Sequence, residues 1–565
     1  MPKEEAGSTN SALQQPNQYT NSPSRETNPR PPRRNRQIVE LTHICTTIRD
    51  IMKSLIRRTA FAAAFVWALA LHAQTTPATR AAHAYDAAVK AGPLALHAFL
   101  DQFPKGADLH VHLSGAVYAE TFIKDAAEDG LCVDPKALSF EKPPCDAPLV
   151  AAKDLSGVLT PPQQDLYDRL IDSFSMRSYV PTASFSGHDQ FFSTFGKFHG
   201  LGDHIGQWVD EIASRSAAQN QQYLELMETP QFGHAATIAR ENPLDTDFAA
   251  YRQTLLSHGL KDEVAADRED VRGAEAARRQ IEHCGTPQAT PACNVTIRYI
   301  YQVLRGFSPE QVFAQTLLGF ETVQAAMEAH DDTWVGINFV MPEDGFVSMR
   351  DYGLQMKMVD YLHSVYPQVH ITLHAGELAP GLVPPEGLRF HIRQAVEDGH
   401  AERIGHGVDV MYEDNARALL KEMAQKHVMV EINLSSNEGI LGIKGAEHPF
   451  PLYRAAHVPV ALSTDDEGVS RIEITHEYTR AALDYHLTYD ELKQLARTGM
   501  EHNFLPGSSL WAEQDAFTTP NKACRGEALG ADHPTEQCKA FLDGSQKGSA
   551  QWEQERRFRA FEVQF

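Results

Sequence analysis

Four short stretches of this 565-residue chain hold imidazoles and carboxylates at spacings that suit metal binding and proton transfer. The first runs Lys105-Gly106-Ala107-Asp108-Leu109-His110-Val111-His112-Leu113. On a strand, His110 and His112 point to one face while Leu109, Val111 and Leu113 point to the other. Two imidazoles on one face can seize a divalent ion from the same side. The second, from Val369 to Glu377, ends with His374 and then Glu377 three residues on. The third, Arg403-Ile404-Gly405-His406-Gly407, sets a histidine between glycines, which let backbone or substrate approach closely. The fourth, from Pro459, ends in the paired acids Asp465 and Asp466. Any one of these is equally at home as a set of polar core residues. Four together, each closing a candidate strand, supply metal-ligating and proton-transfer groups for one centre.

The elements that must position these groups are legible as alternating β-rich and helical stretches. Candidate strands are 106–112, 221–227, 294–302, 333–341, 369–375, 402–406, 427–434 and 458–465. Several, such as 428–434, are apolar with little alternation, as in strands covered on both faces. Segments 388–398 and 415–426 carry helical spacing. Eight strand–helix units predict an α/β fold, a (β/α)8 TIM-type barrel over 104–510, with catalytic groups at the carboxyl ends of its strands. A doubly wound sheet is the alternative. The connection at 113–220 is too long for a plain loop and predicts a structured insertion or lid. A second excursion spans about 230–293, a helical segment covers 74–103, and a C-terminal extension covers 511–565 with an amphipathic helix near 552–561.

Residues 1–51 are polar and Pro-rich, as in a disordered or untranslated upstream segment. Residues 52–73 run from a basic start at Met52 through an apolar stretch to small residues at Ala70 and Ala73, the pattern of a secretory signal. Export to the periplasm or beyond is the expectation. Six further cysteines fall into close pairs, Cys132/Cys145, Cys284/Cys293 and Cys524/Cys538. Spacing does not set their connectivity, but neighbour pairing needs no long-range coincidence, and disulfides suit an oxidising compartment. The net charge is -23. So acidic a surface disfavours nucleic acid and, once the signal is removed, membrane partners, and leaves a small neutral or cationic ligand.

His110-Val111-His112, Leu373-His374-Ala375-Gly376-Glu377, Ile404-Gly405-His406-Gly407 and Ser463-Thr464-Asp465-Asp466 together resemble the adenosine deaminase family. The similarity extends over about 104–505 and includes Leu434-Ser435-Ser436-Asn437. The signal-like segment, the cysteine-bearing insertion and the extension resemble its secreted, growth-factor-type branch. The resemblance implies one Zn2+ per chain held by His110, His112, His374 and Asp465, which would lower the pKa of a bound water toward 7. It also implies that His406 orients and deprotonates that water, Glu377 protonates purine N1, and Asp466 pairs with N7. Because successive strand residues point apart, Asp465 is expected to face the metal and Asp466 the base. Glu431 is the candidate to fix a metal-site histidine from behind. Phe191 and Phe195, with Phe192 and Phe198 at helical spacing, are candidates for an apolar roof over the purine.

Two positions depart from the family. Ser114 stands where it commonly has Asp against the ribose 5′-hydroxyl, and Met341 where a glycine amide commonly meets purine N3. The implied activity is hydrolytic deamination of adenosine and deoxyadenosine to inosine-type products plus ammonia. The alternatives are another aminopurine (adenine or a 5′-modified adenosine) or a catalytically silent exported nucleoside-binding protein. The expected partner is a small purine nucleoside, and a homodimer is compatible with the sequence.

Overall fold

The protein is described by a computed structural model that covers residues 76–565. The upstream tail and the signal-like segment expected before residue 74 lie outside the described residues. Eight parallel strands follow one another in sequence order. They are β1 Gly106–His112, β2 Gln221–Glu228, β3 Thr296–Leu304, β4 Trp334–Val340, β5 His370–Ala375, β6 Arg403–His406, β7 Met429–Ile432 and β8 Val460–Leu462. Every residue of β4 is buried, as a strand wrapped by helices requires.

The ring closes through a candidate site residue. Val111 and Asp465 form a parallel bridge, with the Asp465 N–H donating to the His110 carbonyl at 2.9 Å and the His112 N–H to the Asp465 carbonyl at 3.3 Å. Closure in sequential order makes this a (β/α)8 barrel and removes the doubly wound alternative.

The segment between β1 and β2 is structured. Helix Ala119–Glu128, a small antiparallel sheet (Cys132–Asp134, Ser139–Glu141, Val150–Ala151) and helix Pro161–Ser173 share an apolar core that includes Phe122, Phe140, Phe174 and Phe198. Helix Gly187–Thr194 then crosses toward the barrel mouth. The last helix, Ile205–Ala218, packs on β2 and is the crossover that two parallel strands need. The insertion proper therefore ends before residue 205. Helices Gly233–Glu241, Phe248–Ser257 and Val264–Ile281 fill the second excursion.

The six cysteines are joined as neighbours: Cys132–Cys145, Cys284–Cys293 and Cys524–Cys538. The C-terminal helix, Gln546–Glu562, lies across the amino end of β1, where Gln554 donates to the Pro104 carbonyl at 2.9 Å. Its Phe558 and Phe561 pack on Phe103 at 5.6 and 6.0 Å between ring centroids. Among the described residues no helix is long and apolar enough to cross a membrane.

Candidate active site

The four motifs converge at the carboxyl ends of β1, β5, β6 and β8. His112 Nε2 lies 3.2 Å from His374 Nε2 and 3.2 Å from Asp465 Oδ1, and His110 Nε2 lies 3.4 Å from the same oxygen. The His110 and His374 rings are 4.5 Å apart. Two overlapping groups able to hold a metal result: His110, His374, His406 and Asp465, and His112, Asp465 and Asp466.

The partner of each Nδ1 says what each ring presents to the centre. His110 Nδ1 is 2.6 Å from Glu431 Oε2, and a carboxylate only accepts. His374 Nδ1 is 2.9 Å from Asn338 Oδ1, and that oxygen also accepts the His374 backbone N–H at 3.0 Å, which fixes the amide's orientation. His112 Nδ1 is 2.7 Å from Gln302 Oε1, whose amide nitrogen donates to Thr229 Oγ1 at 2.8 Å. Each of the three rings thus gives its Nδ1 proton to an oxygen and points an Nε2 lone pair inward. Such outer hydrogen bonds are the usual way a metal-binding histidine is held. His110 Nε2 and Asp465 Oδ1 are both buried and make no hydrogen bond. Electron-pair donors facing one another without a proton between them fit a cation, and three imidazoles with one carboxylate suit zinc. His406 differs: its Nδ1 faces amide nitrogens, those of Asn437 at 2.9 Å and Asn433 at 3.4 Å.

Glu431 is buried beneath His110 and also accepts from Arg403 Nε and Thr372 Oγ1. Burial would raise its pKa, but Arg403 and His110 outweigh that and hold it at about 2. Arg403 is itself enclosed, paired at 2.6 Å with Glu225 and stacked 3.9 Å over Phe504.

Glu377 is buried on the loop after β5. Burial, reinforced by the nearby Asp465 charge, pushes its carboxyl well above the usual range. Glu343 grips this loop: its oxygens accept the Gly376 and Glu377 amides at 2.9 and 2.7 Å and lie 2.6 Å from His391 Nδ1. Gly376 has φ +75, and a Cβ there would meet Asp409 Oδ1 at 2.6 Å, so only glycine fits the turn.

Asp465 and Asp466 reach the same cavity by a route other than strand alternation. β8 ends at Leu462, and Asp465 takes the left-handed conformation with φ 61. That twist turns consecutive carboxylates into one space, where alternation would have parted them. Asp466 packs so close to Gly115 that a Cβ there would lie 1.4 Å from Asp466 Oδ1. Burial raises the Asp466 carboxyl well above its ordinary pKa.

The cavity has a volume of about 420 Å³. One wall holds His112, His374, Glu377, His406, Asp465 and Asp466; Ser114, Gln302 and Met341 lie beside them, with Phe191, Phe192 and Phe195 on the insertion side. Phe198 does not line it. Helix Gly187–Thr194 ends before that residue, and Phe198 stacks on Phe122 at 4.4 Å inside the insertion's own core. His188 Nε2 sits 2.9 Å from Asp344 Oδ1, tying the helix that carries Phe191 to the loop after β4. Met341 has φ 86, rare for a side-chain-bearing residue, and its sulfur lies 3.3 Å from the Gly306 amide.

Sequence reasoning missed Gln302, Asn338, Glu343, Asn437 and Asp108 as supports. Asp108 had a signal, since strand alternation puts it on the face of His110 and His112. It accepts from Thr464 N and Oγ1 at 3.1 and 2.8 Å, helping to join β1 to the end of β8.

The adenosine deaminase family model matches residues 192–510, more than half of the chain. Adenosine deaminase of Escherichia coli is 38% identical over 137 residues, a stretch covering 24% of this chain and 38% of that relative. Among solved structures, adenine deaminase from Arthrobacter aurescens superposes with a TM-score of 0.46 at 17% identity, covering 71% of this chain and 94% of that one. The Arabidopsis N6-mAMP deaminase gives 0.46 at 21% identity, covering 72% and 96%. The matched span takes in β2 to β8 and every candidate active-site residue except those on and just after β1 and Phe191, and on that match the chain belongs to the adenosine deaminase family.

Proposed function

We propose that this protein is a zinc-dependent aminohydrolase that converts adenosine, and deoxyadenosine, with water to the 6-oxo nucleoside and ammonia. The observation that carries the reading is the pairing of three inward Nε2 lone pairs and Asp465 with the protonation-prone Glu377 in one cavity. His110, His112, His374 and Asp465 would hold the ion. When bound, zinc supplies Lewis acidity that brings the pKa of water toward neutrality.

The remaining roles belong to the chain's own side chains. Attack at purine C6 pushes electrons onto N1, so an acid must stand there, and a carboxyl kept protonated by burial meets that need in Glu377. Asp466, likewise raised, can donate to N7 and set the ring's orientation. His406 orients the attacking oxygen. Phe191, Phe192 and Phe195 bury the purine face and keep bulk water out.

Ser114 and Met341 favour a second reading, a different aminopurine such as adenine or a 5′-modified adenosine, because both line the cavity and both depart from the residues the family commonly has there. The three disulfides support an exported protein, in the periplasm or outside the cell. The deciding experiment is ammonia release from adenosine, deoxyadenosine and adenine by metal-replete protein, beside His374→Ala. Release with wild type, and loss of both zinc and activity in the variant, is expected. No release from any purine, or full zinc in His374→Ala, would remove the reading.

A further inference from the structure

We propose that His448 is a positioning residue that decides which nitrogen of His406 carries its proton, making His406 a hydrogen-bond donor toward the attacking oxygen. The inference rests on the deaminase reading for its last step, and on hydrogen bonds alone for the rest. It starts at a group whose direction is not open to choice. The Phe450 backbone N–H, left without an intrahelical partner in the first turn of helix Phe450–Ala455, donates to His448 Nδ1 at 3.1 Å. An accepting ring nitrogen carries no proton, so neutral His448 holds its hydrogen on Nε2. That N–H meets Asn437 Oδ1 at 3.0 Å. The amide is thereby oriented with Nδ2 toward His406 Nδ1, to which it donates at 2.9 Å.

His406 Nδ1 must then be the accepting nitrogen, and Nε2 the protonated one. Asn433 Nδ2, at 3.4 Å, reinforces this from a second side. Glu377 Oε1 stands at 3.5 Å from the same nitrogen, farther than either amide. His448, Asn437 and His406 are all buried, so water does not compete for these contacts. His406 Nε2 makes no hydrogen bond and lies 4.0 Å from Asp465 Oδ2, facing the space that the three lone-pair-bearing rings also face.

Two consequences follow for the chemistry. An N–H at Nε2 cannot coordinate a cation, which separates His406 from His110, His112 and His374 although all four cluster together. Nor can it take a proton at that nitrogen, which already has one. Forming an imidazolium would leave an Nδ1–H against the Asn437 NH2, donor against donor. In this tautomer His406 therefore holds the attacking oxygen by donating to it from Nε2.

The test uses full-length, zinc-loaded protein. His448→Leu removes the donor to Asn437 and frees that amide to turn. His448→Gln keeps a donor for Asn437 and an acceptor for the Phe450 amide. Histidine-selective 15N spectra should show His406 as the Nε2–H tautomer in wild type and His448→Gln, and a loss of that state in His448→Leu. With zinc content unchanged, kcat should fall about 10-fold in His448→Leu with KM nearly constant, and recover in His448→Gln. Should His448→Leu fail to fold, the isosteric Asn437→Asp turns the donor into an acceptor and should invert the tautomer. A wild-type His406 protonated at Nδ1, or a folded His448→Leu with unchanged tautomer and kcat, would overturn the proposal. An Nε2–H signal in a protein that releases no ammonia would support the relay and count against the deaminase reading alone.

Discussion

Glu343 Oε2 accepts the backbone N–H of Glu377 at 2.7 Å, so one carboxylate, held in place by the loop after β4, sets where another is presented. Its partner oxygen takes the Gly376 amide and lies against His391. Burial would raise the Glu343 pKa, but His391, the Arg305 charge and the Gly376 amide hold it at about 2. A carboxylate whose folded pKa is depressed contributes stability above its ordinary value and loses it as pH falls through the folded one. Wild type should therefore lose up to about 3 kcal/mol from this group between roughly pH 4.5 and pH 2. Acid unfolding of Glu343→Gln, measured beside wild type, should show that component flattened, and kcat/KM should drop about 10-fold as the Glu377 loop loosens. An acid profile identical to wild type would show that Glu343 is not what anchors the loop.

Glu377→Gln should leave the zinc in place, because this residue lies outside the proposed ligand set. The amide is nearly isosteric, so KM should move little. It cannot deliver a proton to N1 as the tetrahedral centre forms, and general acid catalysis of this kind is worth about 10²–10⁴-fold. Steady-state kinetics with zinc analysis on the same sample checks both halves. Near-normal kcat on the best substrate would refute the assignment.

Met341→Gly should relieve the left-handed backbone at φ 86, at a gain of roughly 1 kcal/mol set against the entropy cost of glycine. It also removes a side chain that lines the cavity beside Gly306. The expected result is little change in Tm and a shift in the ratio of kcat/KM values among adenosine, deoxyadenosine and adenine. An unchanged ratio would mean that Met341 has no part in substrate choice.

How far the sequence reaches can be judged strand by strand. The stretch 106–112 was expected as a strand and is one, because its two-residue alternation is written in adjacent letters. The strand expected over 458–465 survives only as Val460–Leu462. Beyond Leu462 the chain departs from the strand, and Asp465, left-handed at φ 61, bridges Val111, a partner more than 350 residues away. The helical stripe Phe191, Phe192, Phe195 and Phe198 divides between roof and insertion core for the same kind of reason: Phe122 claims Phe198.

The chain's letters alone led to a barrel with a doubly wound sheet still open, to neighbour pairing of the cysteines as one connectivity among several, and to His110, His112, His374, Glu377, His406, Asp465 and Asp466 as one constellation. Each of those rests on local periodicity or on a short motif, and local patterns need no knowledge of what lies across the fold. Tertiary structure alone decided which proton sits on which nitrogen. Glu431 was a candidate from its strand position, but only the fold set it under His110; Asn338 beside His374, Gln302 beside His112 and His448 behind Asn437 come from other strands or loops and carry no motif of their own. A hydrogen bond of about 3 Å is specified only once barrel closure has brought its two ends together, and until then donor and acceptor are merely polar residues at unrelated positions.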